Sequence, residues 1–250
     1  MSQSEPLLPC RYPAARAAVF IGAAQYRRHR YGANHPLSIP RVSLTFDLIN
    51  AYGALAPAEY VSGRCATVSE LCGFHTEEYV RALQHAAARG HVSDSERTRH
   101  HLGTLENPYF PDFFHTPALA TGSSIQGAEY VLAGQCAFSP AGGMHHALPD
   151  RAQGFCYFND AVLAVMHLRR AGKRVLYVDI DAHHGDGVEY AFADDPCVFT
   201  FSLHMDTRYA YPFKGGAADD VGAPRGEFTC LNVPLPPAVH DAEYELAFAS

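Results

Sequence analysis

Arg174-Val175-Leu176-Tyr177-Val178-Asp179-Ile180-Asp181-Ala182-His183-His184-Gly185-Asp186-Gly187 is the stretch on which the reading of this chain turns. Its opening, a short β-branched and aromatic run, predicts a buried strand. Side chains alternate faces along a strand, so Asp179, Asp181 and His183 project the same way if the extended conformation persists. Two carboxylates and an imidazole on one edge are costly to desolvate unless a cation or a proton network pairs them. Mixed oxygen and nitrogen donors of this kind suit zinc or a similar divalent metal. The stretch therefore predicts a metal-dependent hydrolase.

About thirty-five residues upstream stands Gly142-Gly143-Met144-His145-His146-Ala147. A lone histidine is more often a structural hydrogen-bonding residue than a functional one. A tandem pair after two glycines, in a chain that also carries Asp-x-Asp-x-His at a strand end, reverses that preference. Working imidazoles need carboxylates to fix their tautomers and tune their pKa values. Asp179 and Asp186 are the candidates, because Asp181 and His183 suffice as the metal-binding members of the later stretch.

Around these clusters, helices and strands alternate as in an α/β fold with a parallel sheet flanked by helices. A first strand is expected within residues 17–24. A helix is expected over 40–55, with Val42, Phe46, Ile49 and Tyr52 on one stripe. Residues 76–89 form another, with Glu77 and Glu78 in its first turn and Gly90 as its stop. A third opens at Thr116-Pro117 and runs to Gly134; a fourth is capped by Asn159 or Asp160 and ends at Gly172. Strands follow at 198–203 and 228–233, with a Gly-, Pro- and Asp-rich loop over 211–226 between them. Asp241 is an N-cap candidate for a last helix over 242–249.

The chain has 250 residues, enough for one sizeable core, and shows no repeat or linker that would divide it. Its formal charge of −7 argues against a nucleic-acid-binding surface and leans toward cationic or neutral substrates. The seven cysteines (10, 65, 72, 136, 156, 197 and 230) form no CxxC pair and are odd in number, which predicts reduced thiols in a cytoplasmic protein. No stretch approaches the roughly 20 apolar residues of a membrane span. The short apolar run after Arg11 and Arg16 reads as a strand, not a signal peptide. Oligomeric state is not legible.

The segments 142–147, Gly154-Phe155-Cys156-Tyr157-Phe158-Asn159-Asp160 and 178–187 closely resemble the zinc-dependent histone deacetylase superfamily. Its bacterial members include acetoin-utilisation deacetylases and acetylpolyamine amidohydrolases, and residues 140–192 are most similar to the acetoin-utilisation and class I-like branch. Weaker likeness extends over 41–55, 75–83, Phe201-Ser202-Leu203-His204 and Leu231-Asn232-Val233-Pro234-Leu235. The resemblance implies an arginase- and deacetylase-like fold. It implies that Asp181 and His183 are two of three zinc ligands, and that His145 and His146 are the tandem histidines paired with Asp179 and Asp186. By the same resemblance, Gly154 and Phe155 would line a narrow tunnel for an acyl-lysine-like chain, with Tyr211 on the opposing wall. Glu106, in Glu106-Asn107-Pro108, stands where relatives carry a rim aspartate that grips the substrate backbone. A structural potassium ion is implied near Asp179, Asp181, the His183 carbonyl, Ser202 and Leu203. The implied substrates are acetylated lysine side chains or acetylated small amines such as polyamines.

Two parts of the family pattern do not occur in these 250 residues. One is the third zinc ligand, an aspartate in a Gly-Phe-Asp-Ala-His-like segment. The other is the catalytic tyrosine that follows a glycine run. The expectation is a single deacetylase-like domain over 1–250, incomplete at its carboxy terminus and lacking its last strands. The alternative is a non-catalytic relative that keeps the fold. An arginase-like dinuclear hydrolase shares the architecture but needs more carboxylate ligands than this sequence offers.

Overall fold

The structure, a computed structural model, describes residues 17–27, 31 and 35–249. Cys10, Arg11 and Arg16 lie outside the described residues. Strands β1 (Ala18–Gly22), β2 (Tyr60–Ser62), β3 (Cys136–Phe138), β4 (Val175–Asp179), β5 (Val198–Met205) and β6 (Cys230–Leu235) alternate with helices. The helices are α1 (Arg41–Ala51), α2 (Val68–Leu71), α3 (Glu77–Arg89), α4 (Asp94–His100), α5 (His115–Leu132), α6 (Asp160–Arg170), α7 (Asp186–Phe192) and α8 (Asp241–Ala249). The strands form two three-stranded sheets, in orders β2-β1-β3 and β4-β5-β6, and every pairing is parallel. This is the parallel α/β architecture that the alternation predicts.

Local chemistry accounts for the helix ends. Thr76 caps α3 by accepting the Tyr79 N–H, and Gly90 closes it in the left-handed region at φ 80°. Asn159 caps α6 through its side-chain oxygen, which accepts the Val162 N–H at 3.1 Å. The stripe expected on α1 is only partly realised. Val42, Phe46 and Ile49 are half-buried, but the helix ends at Ala51 and Tyr52 is 79% exposed. The last helix begins at Asp241 itself, and the preceding His240 carbonyl accepts the Tyr244 N–H. Sequence patterning passed over β2, β3, α2, α4 and α7. Each is seven residues or fewer, too short to establish a period.

One core gathers Leu71, Tyr79, Leu83, Leu102, Phe113 and Tyr157 beneath α3 and α5. Burial of side chains of this size stabilises by about 1.5–3 kcal/mol each. A second cluster, Val162, Val165, Val188, Phe192 and Val198, seats α6 and α7 against β4 and β5. The strand expected to be buried, β4, is covered on one face only. Val175 and Tyr177 pack against that cluster, whereas Leu176 and Val178 are 65% and 47% exposed. Helices α6 and α7 lie on one side of β4, and the other side is left largely exposed among the described residues.

Candidate active site

Asp179 ends β4, and Asp186 opens α7 seven residues later. Extended geometry does not persist between them. The Asp181 N–H donates to Asp179 Oδ1 at 3.0 Å, and the His183 N–H donates to Asp181 Oδ1 at 2.8 Å. Successive side-chain-to-backbone bonds of this kind turn the chain. The common face expected for Asp179, Asp181 and His183 is therefore replaced by a division. Asp179 points inward and is buried, while the side chains of Asp181 and His183 are 53% and 48% exposed.

The tandem histidines reach the inward side. His145 Nδ1 donates to Asp179 Oδ2 at 2.6 Å, and His146 Nδ1 donates to Asp186 Oδ1 at 2.7 Å. Ionised carboxylates only accept, so both rings carry Nδ1–H, and a neutral ring keeps a lone pair on Nε2. The two rings lie 4.1 Å apart between centroids, and both residues are buried. Burial depresses both imidazoles, but at His145 the hydrogen bond and charge of Asp179 outweigh it and the pKa rises. At His146 burial prevails over Asp186, helped by the neighbouring His145 and His183, and the pKa falls. Burial likewise pushes Asp179 up, but the His145 and Tyr177 contacts prevail and hold it below the usual carboxylate range. The pair is thus split into one imidazole that favours its proton and one that favours the free base.

The loop carrying the histidines is fixed by the start of α6. Buried Asp160 accepts the Gly143 and Met144 N–H groups at 3.1 and 2.7 Å. Asn159 Nδ2 donates to the carbonyls of His145 and Ala147 at 3.0 and 3.1 Å. The Asn159 N–H donates to His75 Nε2, so His75 carries its proton on Nδ1 and donates it to the Leu148 carbonyl. Burial pushes the His75 pKa down to about 4, consistent with a neutral ring in that role. Gly187 lets α7 approach this loop: a Cβ there would lie 2.5 Å from the His145 carbonyl oxygen.

Glu106, His146, Gly154, Phe155, His183 and Tyr211 line one cavity of about 330 Å³. All six were marked in the sequence. Gly154 (φ 56°) and Phe155 (φ 69°) form two successive left-handed residues. Their N–H groups donate to Glu106 Oε1 at 2.6 Å and to Asn107 Oδ1 at 3.0 Å. A Cβ on Gly154 would come within 2.3 Å of the His146 ring, so only glycine fits this wall. Opposite, the Tyr211 ring stands edge-on to His146 at 4.9 Å between centroids. Burial, followed by the hydrogen bond and charge of Glu106, raises the Tyr211 phenol well above its ordinary range.

Asp181 Oδ1 and His183 Nδ1 lie 3.1 Å apart. Zinc bonds of about 2.0 Å at a tetrahedral angle set two donors roughly 3.3 Å apart, so the pair matches one edge of such a site in spacing and in donor chemistry. Among the described residues no three His, Cys, Asp or Glu side chains are gathered to hold a metal. The pair offers two donors, one fewer than the three protein ligands that a catalytic zinc normally takes. Parallel register sets Asp179 beside Ser202, with Leu203 next on β5. Ser202 Oγ shares a hydrogen bond of 2.8 Å with His204 Nδ1.

Several residues of this arrangement were not marked in the sequence. The Tyr177 hydroxyl donates to Asp179 Oδ2 at 2.7 Å, a contact that strand periodicity could have suggested because Tyr177 precedes Asp179 by two. Gln153 Nε2 donates to Asp186 Oδ2 at 2.5 Å, and no local pattern signals it. His75 and the loop-holding role of Asn159 and Asp160 depend on contacts between distant segments, although Asn159 was marked as a helix cap.

Comparison with known proteins shows the family and the fold. The histone deacetylase domain matches residues 35–250. The chain is 35% identical to the acetoin utilization protein AcuC of Bacillus subtilis, over 93% of this chain and 60% of that protein. It is 36% identical to the histone deacetylase RPD3 of Saccharomyces cerevisiae, over 93% of this chain and 54% of that protein. A crystal structure of an HDAC homolog from Aquifex aeolicus superposes with a TM-score of 0.89 at 43% identity, covering 92% of this chain and 62% of that one. Fold and site thus define a parallel α/β protein of the arginase- and deacetylase-like kind. The chain belongs to the histone deacetylase family, and it spans about 54–60% of the length of these two curated relatives.

Proposed function

We propose that this chain is part of a zinc-dependent amidohydrolase that removes acetyl groups from lysine side chains or small amines. The observation that carries the reading is the convergence of Glu106, His146, Gly154, Phe155, His183 and Tyr211 on one cavity, with the two His–Asp dyads beside it. Asp181 and His183 would hold the zinc, and their spacing supports this. When bound there, zinc would polarise the amide carbonyl and lower the pKa of a water molecule. His146, biased toward the free base, accepts a proton at Nε2, and Asp186 stabilises the resulting imidazolium through Nδ1–H. His145, biased toward its protonated form by Asp179, supplies positive charge next to it. Gly154, Phe155 and Tyr211 enclose the thin chain that leads to the amide.

The remaining zinc ligand and an oxyanion-stabilising tyrosine are to be sought in the part of the relatives that this chain does not span. We regard residues 1–250 as one portion of a single domain, and the exposed Leu176 and Val178 face supports further chain packing there. A potassium ion at the Asp179–Ser202 corner and a cytoplasmic setting belong to the same proposal. The six free cysteines among the described residues support the latter.

The test is acetate release from an acetyl-lysine peptide and a monoacetylated diamine by the full-length protein, before and after chelation and zinc repletion. Zinc-restored turnover supports the reading. A zinc-loaded, folded protein that hydrolyses neither amide overturns it in favour of a non-catalytic relative.

A further inference from the structure

Glu106 occupies the rim position at which the family resemblance implies an aspartate that grips the substrate backbone. In this fold its carboxylate is turned onto the protein. Oε1 accepts the Gly154 N–H at 2.6 Å, a short charge-assisted bond to one wall of the cavity. Tyr211 lines the opposing wall of the same cavity. Next to Glu106, Asn107 accepts the Phe155 N–H, so consecutive residues of one loop hold consecutive left-handed residues of another. The wall is braced from behind as well: His35 lies edge-on to Phe155 at 4.5 Å, and the Tyr31 hydroxyl donates to the Phe155 carbonyl. Because Gly154 presses against His146, its position sets where that imidazole can stand.

We propose that Glu106 is a positioning residue that latches the Gly154–Phe155 wall of the cavity, instead of a group that grips the substrate. The extra methylene of glutamate over aspartate gives the reach, and the adjacent Asn107–Phe155 bond supplies the second anchor. The proposal rests on the deacetylase reading for its kinetic consequence but not for the contact itself. A latch acts on every substrate alike. A rim grip acts only on substrates that present backbone amides.

The full-length, zinc-replete protein is assayed on an acetyl-lysine peptide and on a monoacetylated diamine, which has no peptide backbone. Glu106→Ala is expected to lower kcat/KM on both by a similar factor, on the order of tenfold or more, because a half-buried donor loses its acceptor and the wall shifts. Glu106→Gln keeps an acceptor for Gly154, so it restores most of the loss; Glu106→Asp does not. A loss confined to the peptide, or an aspartate variant equal to the parent, overturns the latch. Independently of turnover, the melting-temperature shifts of Glu106→Ala and Asn107→Ala, which remove adjacent bonds to one wall, are expected to be non-additive in the double variant. Additive shifts overturn the latch even in an active enzyme. Absence of turnover on both amides by the parent protein overturns the deacetylase reading instead.

Discussion

His145 and Asp179 meet at 2.6 Å with both side chains nearly sealed from water, whereas Asp181 and His183 meet at 3.1 Å with about half of each exposed. Only three residues separate Asp179 from His183 in the chain. The buried pair is organised by the protein itself: Tyr177 adds a third hydrogen bond, Asn159 clamps the histidine's carbonyl, and desolvation strengthens each contact. The exposed pair has solvent on one side and only a local turn holding it. On the proposed reading, the donors that would accept a cation stay reachable, while the groups that would move protons are fixed in advance. The same stretch of sequence would then serve both purposes by turning once between them.

This contrast can be broken most directly at His146. His146→Ala in the full-length protein is expected to reduce acetate release by about 10²–10⁴-fold, the usual contribution of a positioned acid–base group. Turnover within a few-fold of the parent would remove the buried dyads from the chemistry.

The buried side also predicts a pH response through His75. Its folded pKa, pushed down to about 4 by burial, lies below the unfolded value of about 6.5. Between those values the unfolded chain binds more protons, so stability is fully present above about 6.5 and falls as pH drops toward 4. The loss is on the order of 3 kcal/mol across the window. His145, with a raised folded pKa, acts in the opposite sense: its contribution is present below its unfolded value and is lost as pH rises through the folded one. Denaturation midpoints measured from pH 7 to pH 4 are expected to decline, and His75→Gln to flatten the decline. A profile that His75→Gln leaves unchanged refutes this assignment.

Asp179→Asn comes next in size. It removes an ionised acceptor shared by His145 and Tyr177, and a cost of about 1–3 kcal/mol is expected by chemical denaturation. The smallest stability effect is expected at the exposed pair. His183→Ala should change stability by within about 0.5 kcal/mol, since exposed contacts contribute little. Its zinc content, measured on the full-length protein after dialysis, should nevertheless fall well below one equivalent. A variant that loses stability but keeps its zinc reverses the comparison.

Much of this was readable from the sequence because the decisive chemistry is local. The β4 run, the Gly-Gly-x-His-His loop and the Asp-x-Asp-x-His-His-Gly-Asp stretch place the reactive residue types within short segments, and helices α3 and α6 carry their own caps. The parallel α/β class followed from alternation alone. Where the sequence misled, a longer-range competitor won. Asp179 was expected to share a face with Asp181 and His183, but side-chain bonds to the backbone bent the chain first.

Spacing and residue type pointed to a carboxylate–imidazole cluster of His145, His146, Asp179, Asp181, His183 and Asp186, because tight glycine loops and strand ends act over a few residues. Glu106, Gly154, Phe155 and Tyr211 came instead from the family resemblance. The folded chain alone decided that Asp179 is buried while Asp181 is not, that Gln153 and His75 brace the site, and that Glu106 turns onto Gly154. Those outcomes depend on which distant segments meet and on how much water their meeting excludes, and neither is written in any local pattern of residues.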